Sequence, residues 1–363
     1  MAAVAVAGTA LAQVTISGRV DVGNNNNKTT VTNAGSTYIS TTNEVVGEDN
    51  LSTGRLTFAA SEDLGGGMTA NFVHDIDLDL DIGVLNAATG RDSTLGLSGG
   101  FGKVRLGRSY TPVFSVIGAS DVFGTTGAGT VNVFGGNNNA VRSSNSIYYT
   151  SPSFGGVVAN LMMKKNESTA VANGVVTDTT VSGKSYSLTY GAGPLSVAYG
   201  YGKEIGSADV TTRFDAIFGA TAAVRTAGAV AVTDVDSYAK TSALSGSYDL
   251  GSAKVFFGRT AAEFSANGEE VGSTKIVETN VGVSVPMGAV TLMAGTGKNT
   301  WTQNGAVGSL TGTDTVVGAT YSLSKRTTAY VKTGTYNSYS GTLATVAAST
   351  KTARTNVGLR HTF

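Results

Sequence analysis

Asp75, Asp77, Asp79 and Asp81 alternate with Ile76, Leu78, Leu80 and Ile82. Alternation assigns each parity to one face of a strand, so the row reads as a wall of carboxylates backed by an apolar face. Like charges in that arrangement repel unless bases or cations lie opposite. Two chemistries follow. Arginines across from the row would balance it, or Asp79 and Asp81 could attract a divalent cation, since clustered carboxylates suit hard cations. Bases of matching parity are present. Arg55 shares a face with Thr57 and Ser61, opposite Leu56, Phe58 and Ala60. Arg142 shares parity with Ser144, Ser146 and Tyr148, opposite Ile147 and Tyr149. Arg108 ends its strand where the long segment 109–141 begins, and alternation gives no direction there because the chain is leaving the sheet. Near Leu95 and Leu97, alternation turns Asp92 to the wet face and Arg91 away from it. Within 109–141 Asp121 is the single charged residue.

Other chemistries find little to work with. The chain has no Cys, and its two histidines, His74 and His361, make no metal or general-base cluster. His361 falls on the apolar face of the last strand, where an interfacial role suits it. The 49 glycines form no phosphate-cradling loop with its Lys, so no cofactor is expected. The 25 basic and 25 acidic residues cancel, which argues against nucleic acid as a partner. No enzyme is expected.

The elements that must position these charges have a regular rhythm. Short turns built on Gly, Pro or Ser occur at 62–67, 99–102, 151–156, 191–194, 249–252, 286–288 and 324–326. Long segments rich in Asn, Thr, Gly and Ser lie at 24–50, 109–141, 204–236 and 299–313. Strands with one apolar and one polar face flank the turns. Val14, Ile16, Val20 and Val22 oppose Thr15, Ser17, Arg19 and Asp21; Val281, Val283 and Val285 oppose Asn280 and Ser284. No run approaches the roughly 20 apolar residues a membrane helix needs. A membrane-spanning form of this chain must then be a closed barrel, the other structure that satisfies every backbone polar group in lipid. Seven turns and a closing pair of terminal strands predict about sixteen antiparallel strands. The last strand puts Thr355, Val357, Leu359, His361 and Phe363 on one face and ends on an aromatic, as a barrel strand in lipid can. A soluble sandwich with a C-terminal edge strand is the competing fold. Residues 1–12 form an uncharged run of small and apolar residues closing on Ala10, Leu11 and Ala12, the pattern of a secretory signal and its cleavage site. The expected division is a residual signal peptide over 1–12 and one barrel over 13–363.

Five blocks carry a family resemblance. They are GRLTFAASEDLGGGM at 54–68, FGKVRLGRSYTP at 101–112, IYYTSPSFGG at 147–156, YSLSKRTTAY at 321–330 and VGLRHTF at 357–363. In this order they resemble the Gram-negative general diffusion porins of the β-proteobacterial type. The resemblance implies a sixteen-stranded homotrimer that lets small hydrophilic solutes and ions cross the outer membrane passively. It places Arg55, Arg108 and Arg142 near a constriction, makes Arg91 another basic position, and folds 109–141 into the channel with Asp121 as its acid. Asp75 and Asp77 fall where the family has lumenal carboxylates. The expected bias is a weak anion preference, because rings of charge at the narrowest point set selectivity. Phe363 looks like the terminal aromatic recognised by the outer-membrane assembly machinery. Lipid and lipopolysaccharide are the implied surroundings. The alternative reading is a structural or adhesive barrel with binding loops.

Overall fold

The structure, a computed structural model, describes residues 13–33, 36–48, 51–86, 91–125, 141–172, 175–206, 237–265, 273–304, 308–342 and 345–363. Residues 1–12, read as a signal remnant, lie outside these, as do 126–140 of the long segment. In chain order the strands begin with β1 (Gln13–Asn33), β2 (Ser36–Glu48), β3 (Arg55–Gly65), β4 (Met68–Asp79), β5 (Val84–Asn86), β6 (Ser93–Gly99) and β7 (Gly102–Tyr110). One short helix, α1 (Pro112–Gly118), follows, then β8 (Arg142–Thr150), β9 (Val157–Ala172), β10 (Val175–Ala192), β11 (Leu195–Gly206) and β12 (Ser237–Asp249). The last six are β13 (Lys254–Ser265), β14 (Thr274–Met287), β15 (Val290–Gln303), β16 (Leu310–Ser322), β17 (Thr327–Thr342) and β18 (Thr345–Thr362).

All eighteen join one sheet, and every pairing is antiparallel. Without β2 and β5, which pair alongside β1 and β4, sixteen strands remain in an unbroken ring that closes through β1 and β18. Closure runs in register from Arg19 opposite Thr362 to Asn33 opposite Ala348. The backbones of Gly18 and Phe363 seal the seam with reciprocal hydrogen bonds of 2.9 and 3.0 Å. All seven anticipated turns fall at strand junctions.

One expectation needs correction. Residues 24–50, read as a polar loop, are largely strand: β1 continues to Asn33 and β2 pairs back on it from Ser36 opposite Asn33 to Glu48 opposite Val22. The ends of 299–313 are strand too, in β15 and β16. Alternation of polar and apolar residues reports a lipid-facing side, and these Asn- and Thr-rich extensions have polar residues on both faces, so the periodicity vanishes while the ladder continues.

Burial is inverted relative to a water-soluble protein. Val14, Ile16, Leu95, Leu106, Ile147 and Leu161 are exposed, all on the outward parity of their strands. Among the described residues no helix is long and apolar enough to cross a membrane. Buried apolar packing concentrates where α1 meets the inner wall: Val113, Val116 and Ile117 against Ala198, Ala243 and Ala262.

Candidate functional site

The chain leaves β7 at Tyr110 and turns inward. Thr111 caps α1 by accepting a hydrogen bond from the Phe114 N–H, and Pro112 occupies the first turn, where its missing N–H costs nothing. The apolar side of α1 then docks on β10, β11 and β12. The wall is shaped to receive it. A Cβ on Gly200 would lie 2.9 Å from the Val113 backbone and 3.0 Å from Val116. Beyond the helix, Ser120 is pinned to β14: Asn280 Nδ2 donates to the Ser120 carbonyl at 2.8 Å. The Asp121 carboxylate accepts the N–H groups of Phe123 (2.9 Å) and Thr125 (3.2 Å), holding 121–125 in a tight turn. Asp121 is therefore buried and engaged with its own backbone as well as carrying charge.

Across the lumen from this turn stand Arg19, Arg55, Arg91 and Arg360, and the space between encloses about 480 Å³. Arg55 pairs with Asp75 at 3.3 Å, and Thr57 donates to the same carboxylate at 2.6 Å. Arg91 pairs with Asp77 at 2.7 Å and donates to the Tyr110 hydroxyl at 3.1 Å. Arg19 donates twice to the Thr53 carbonyl, at 3.1 and 3.0 Å.

Arg91 reaches the lumen against the expectation from alternation. The Arg91 N–H donates to the Asp75 carbonyl, while the Asp75 N–H donates to the carbonyl of Asp92. Two residues thus oppose one. That is a β-bulge, which aims successive side chains to the same side, and Asp92 also faces inward, toward Arg142. Burial pushes the Asp92 carboxyl up from its usual range, against the attraction of Arg142 at 3.5 Å.

Arg142 faces inward as its parity indicated, but it is buried, with its guanidinium 4.0 Å from the centre of the Tyr110 ring. Arg108 is a correction. It pairs with Ser93, and alternation carries both onto the outward face of Leu106 and Leu95, where Arg108 donates to Ser144 Oγ at 2.8 Å. The register shift between Gly107 and Ser109, with Asn145 at a φ of 52°, accommodates Ser144 on that face.

The aspartate row is also divided. Asp75 and Asp77 serve the arginines, Asp79 ends β4, and Asp81 sits exposed in the turn that follows. Among the described residues no three acidic or histidine side chains converge on a point that could hold a metal. Asp79 and Asp81, which could attract a divalent cation by their spacing, belong to no such group among the described residues.

Sequence reasoning missed Arg360, Arg105 and Lys332, and left Arg19 unassigned. Arg360 and Arg19 both lie on the wet parity of their strands, but only closure of β1 on β18, which sets Asp21 opposite Arg360, brings them together. Arg105 lies 4.1 Å over the Tyr148 ring. Lys332 is fully buried on β17, attracted by both Asp21 and Asp121. Asp21 in turn accepts from Ser52 N–H at 2.6 Å and from the Tyr330 hydroxyl at 2.5 Å.

Comparison with known proteins bears on this arrangement. A family model described as Gram-negative porin matches residues 1–341. Outer membrane porin protein 32 of Delftia acidovorans is 32% identical over 167 residues, 44% of this chain and 47% of that protein, so the match spans about half the length of the relative. An anion-selective porin from Comamonas acidovorans superposes with a TM-score of 0.70 at 24% identity, covering 97% of this chain and all of that one. The trimer form of OmpT from Vibrio cholerae gives 0.68 at 15% identity over 97% of this chain and 99% of that one.

Proposed function

The chain belongs to the Gram-negative porins of the outer membrane, and from that premise we propose that it forms a water-filled channel for passive diffusion of small hydrophilic solutes and ions, with a weak preference for anions. The observation that carries the reading is the set of four arginines facing the inserted turn 121–125 across the lumen. Charged rings at the narrowest section set selectivity, because the field there is screened less than in bulk water. The preference is weak because the four arginines are offset by Asp75, Asp77 and Asp121. The similarity in fold to an anion-selective porin supports the sign.

On this reading residues 13–363 are one barrel and 1–12 the remainder of an export signal. The assembly is a homotrimer, supported by the trimeric form of a structural neighbour. Phe363 serves as the signal read by the assembly machinery, and lipid and lipopolysaccharide surround the barrel. Asp92 and Arg142, behind Tyr110, tune the field and do not line the passage.

Planar-bilayer recording of the purified chain tests the proposal. Large ohmic steps are expected, with a reversal potential in a KCl gradient displaced modestly toward chloride. Neutralising Arg55→Gln with Arg360→Gln should move it toward potassium. A strongly cation-selective wild type, or no shift in the double variant, would overturn the assigned sign. Absence of steps would favour a structural or adhesive barrel.

A further inference from the structure

The inner wall of β14, β15 and β16 holds two fully buried carboxylates, Glu278 at 1% exposure and Asp314 at 0%. Parity puts both on the lumen face with Asn280, Asn299 and Val316, while Thr279, Lys298 and Thr315 face outward. Asn299 stands between the two acids on β15. It lies directly opposite Glu278 and one diagonal step from Asp314, since its own partner on β16 is Gly312. Gly297, opposite both Asn280 and Asp314, puts no side chain into the space between them.

The hydrogen bonds around this group are one-sided. Asp314 accepts from the Asn337 N–H at 2.7 Å, from Asn337 Nδ2 at 3.5 Å and from Asn299 Nδ2 at 3.3 Å. All three donors are amides, and no described base forms an ion pair with Asp314. Asn299 is 4% exposed, and its Oδ1 has no hydrogen-bond donor among the described residues. The two ends of an amide point apart. With Nδ2 given to Asp314, the oxygen is left on the side of β14, where Glu278 stands. The opposite assignment of the amide would set Oδ1 against Asp314 itself, so an acceptor meets an acceptor either way. Asn280 Nδ2, on the same wall, is already engaged with the Ser120 carbonyl at 2.8 Å. Buried amide oxygens nearly always have a partner, and where one converges with carboxylates the species that satisfies both is a cation.

We propose that Glu278, Asn299 and Asp314 form a binding site for one divalent cation, calcium in preference to magnesium. The donor set is two carboxylates and an amide carbonyl, all hard oxygen ligands. It differs from the aspartate row of β4 in that an amide oxygen takes the place of a third acid. The three side chains come from neighbouring strands and are unequal in length. Calcium accepts such irregular sets and completes its shell with water, whereas magnesium demands a near-ideal octahedron at shorter range. With three protein ligands, the affinity belongs at about 0.1–1 mM, the range of extracellular modules. The site lies two residues along β14 from Asn280, so its occupancy also steadies the wall to which Ser120 is pinned. The inference does not depend on conduction, because a barrel without an open passage would hold the same three side chains.

Terbium, which shares calcium's size and preference for oxygen, is the probe, because Trp301 adjoins the site. Trp301 is the only tryptophan in the chain, and it follows Asn299 by two residues on the same face, about 7 Å along the strand. The purified full chain in detergent, excited through tryptophan, should give sensitised terbium emission. Calcium should displace it at about 0.1–1 mM, and magnesium only at concentrations at least about tenfold higher. Asp314→Asn and Glu278→Gln should each weaken terbium binding at least about tenfold. Asn299→Asp, which supplies a third carboxylate of the same size, should tighten it, a gain that a merely structural asparagine would not give. That variant also covers the case in which the other two do not fold, folding being read from heat-dependent gel mobility. Trp301→Phe should abolish the emission while calcium binding measured by equilibrium dialysis is retained. Asp79→Asn with Asp81→Asn should leave the emission as in the wild type. Absence of sensitised emission, full emission in the folded Asp314 and Glu278 variants, or weaker binding in Asn299→Asp would overturn the site. Equal competition by magnesium would overturn the assignment to calcium.

Discussion

Arg91 and Asp92 share one partner residue, Asp75, and the consequence is chemical. A regular strand would have sent one of the two toward lipid. The bulge sends both inward, adding a base to the lumen face and an acid behind it. Asp92 faces Arg142, Arg105, Arg91 and Asp75, and burial is the largest influence on it. Its carboxyl is raised, so on acidification it takes up a proton at higher pH than an ordinary carboxylate. Each proton removes a negative charge beside the arginines. Anion preference should therefore rise as pH falls, beginning above the usual carboxylate range. Asp92→Asn should show the higher preference already at neutral pH and lose the early part of the titration, as read from reversal potentials across a pH series. An unchanged pH profile would remove Asp92 from the field at the passage.

The inserted segment is held by three kinds of contact: apolar docking of α1, the amide bond from Asn280 to Ser120, and the turn closed by Asp121. The first matters most energetically, because Ile117 is almost fully buried in the one compact apolar cluster of the described lumen. Truncating a buried Ile to Ala costs about 2–5 kcal/mol. Here the loss falls on the docking of a segment, not on the hydrogen-bonded ring. Ile117→Ala should leave the folded barrel intact, as judged by its heat-dependent gel mobility. Its open-channel current should be noisier, and it should close at lower voltage. A quiet, wild-type trace would mean that the polar contacts alone fix the segment. The small inward residues of the wall, Gly200 with Ala198 and Ala243, belong to this element as much as α1 does.

At the scale of the molecule, closure is the decisive event. Gly18 leaves room for the Phe363 ring, against which any Cβ there would collide, while the two backbones exchange hydrogen bonds. Deleting Phe363 removes the ring and both of those hydrogen bonds. Folded protein recovered from the outer membrane should fall severalfold, and the remainder should unfold at lower temperature. Undiminished recovery would show that the last residue has no part in assembly.

The strand count, the seven turns, the direction of Arg55 and the inward parity of Arg19, Asp21 and Arg360 were all present in the sequence. A two-residue period and tight-turn chemistry are local properties that each strand expresses alone. Tertiary structure decided what local periodicity cannot encode. It continued β1 through an Asn-rich stretch with no apolar face, because backbone pairing there needs no lipid contrast. It turned Arg91 inward through a bulge set by how β4 meets residues 91 and 92. It kept Arg108 on the outward face, where resemblance alone had put it in the passage. It also divided the aspartate row between arginines and a turn. The lumen cluster joins residues from both ends of the chain, Arg19 with Arg360, and that meeting exists only because the ring closes.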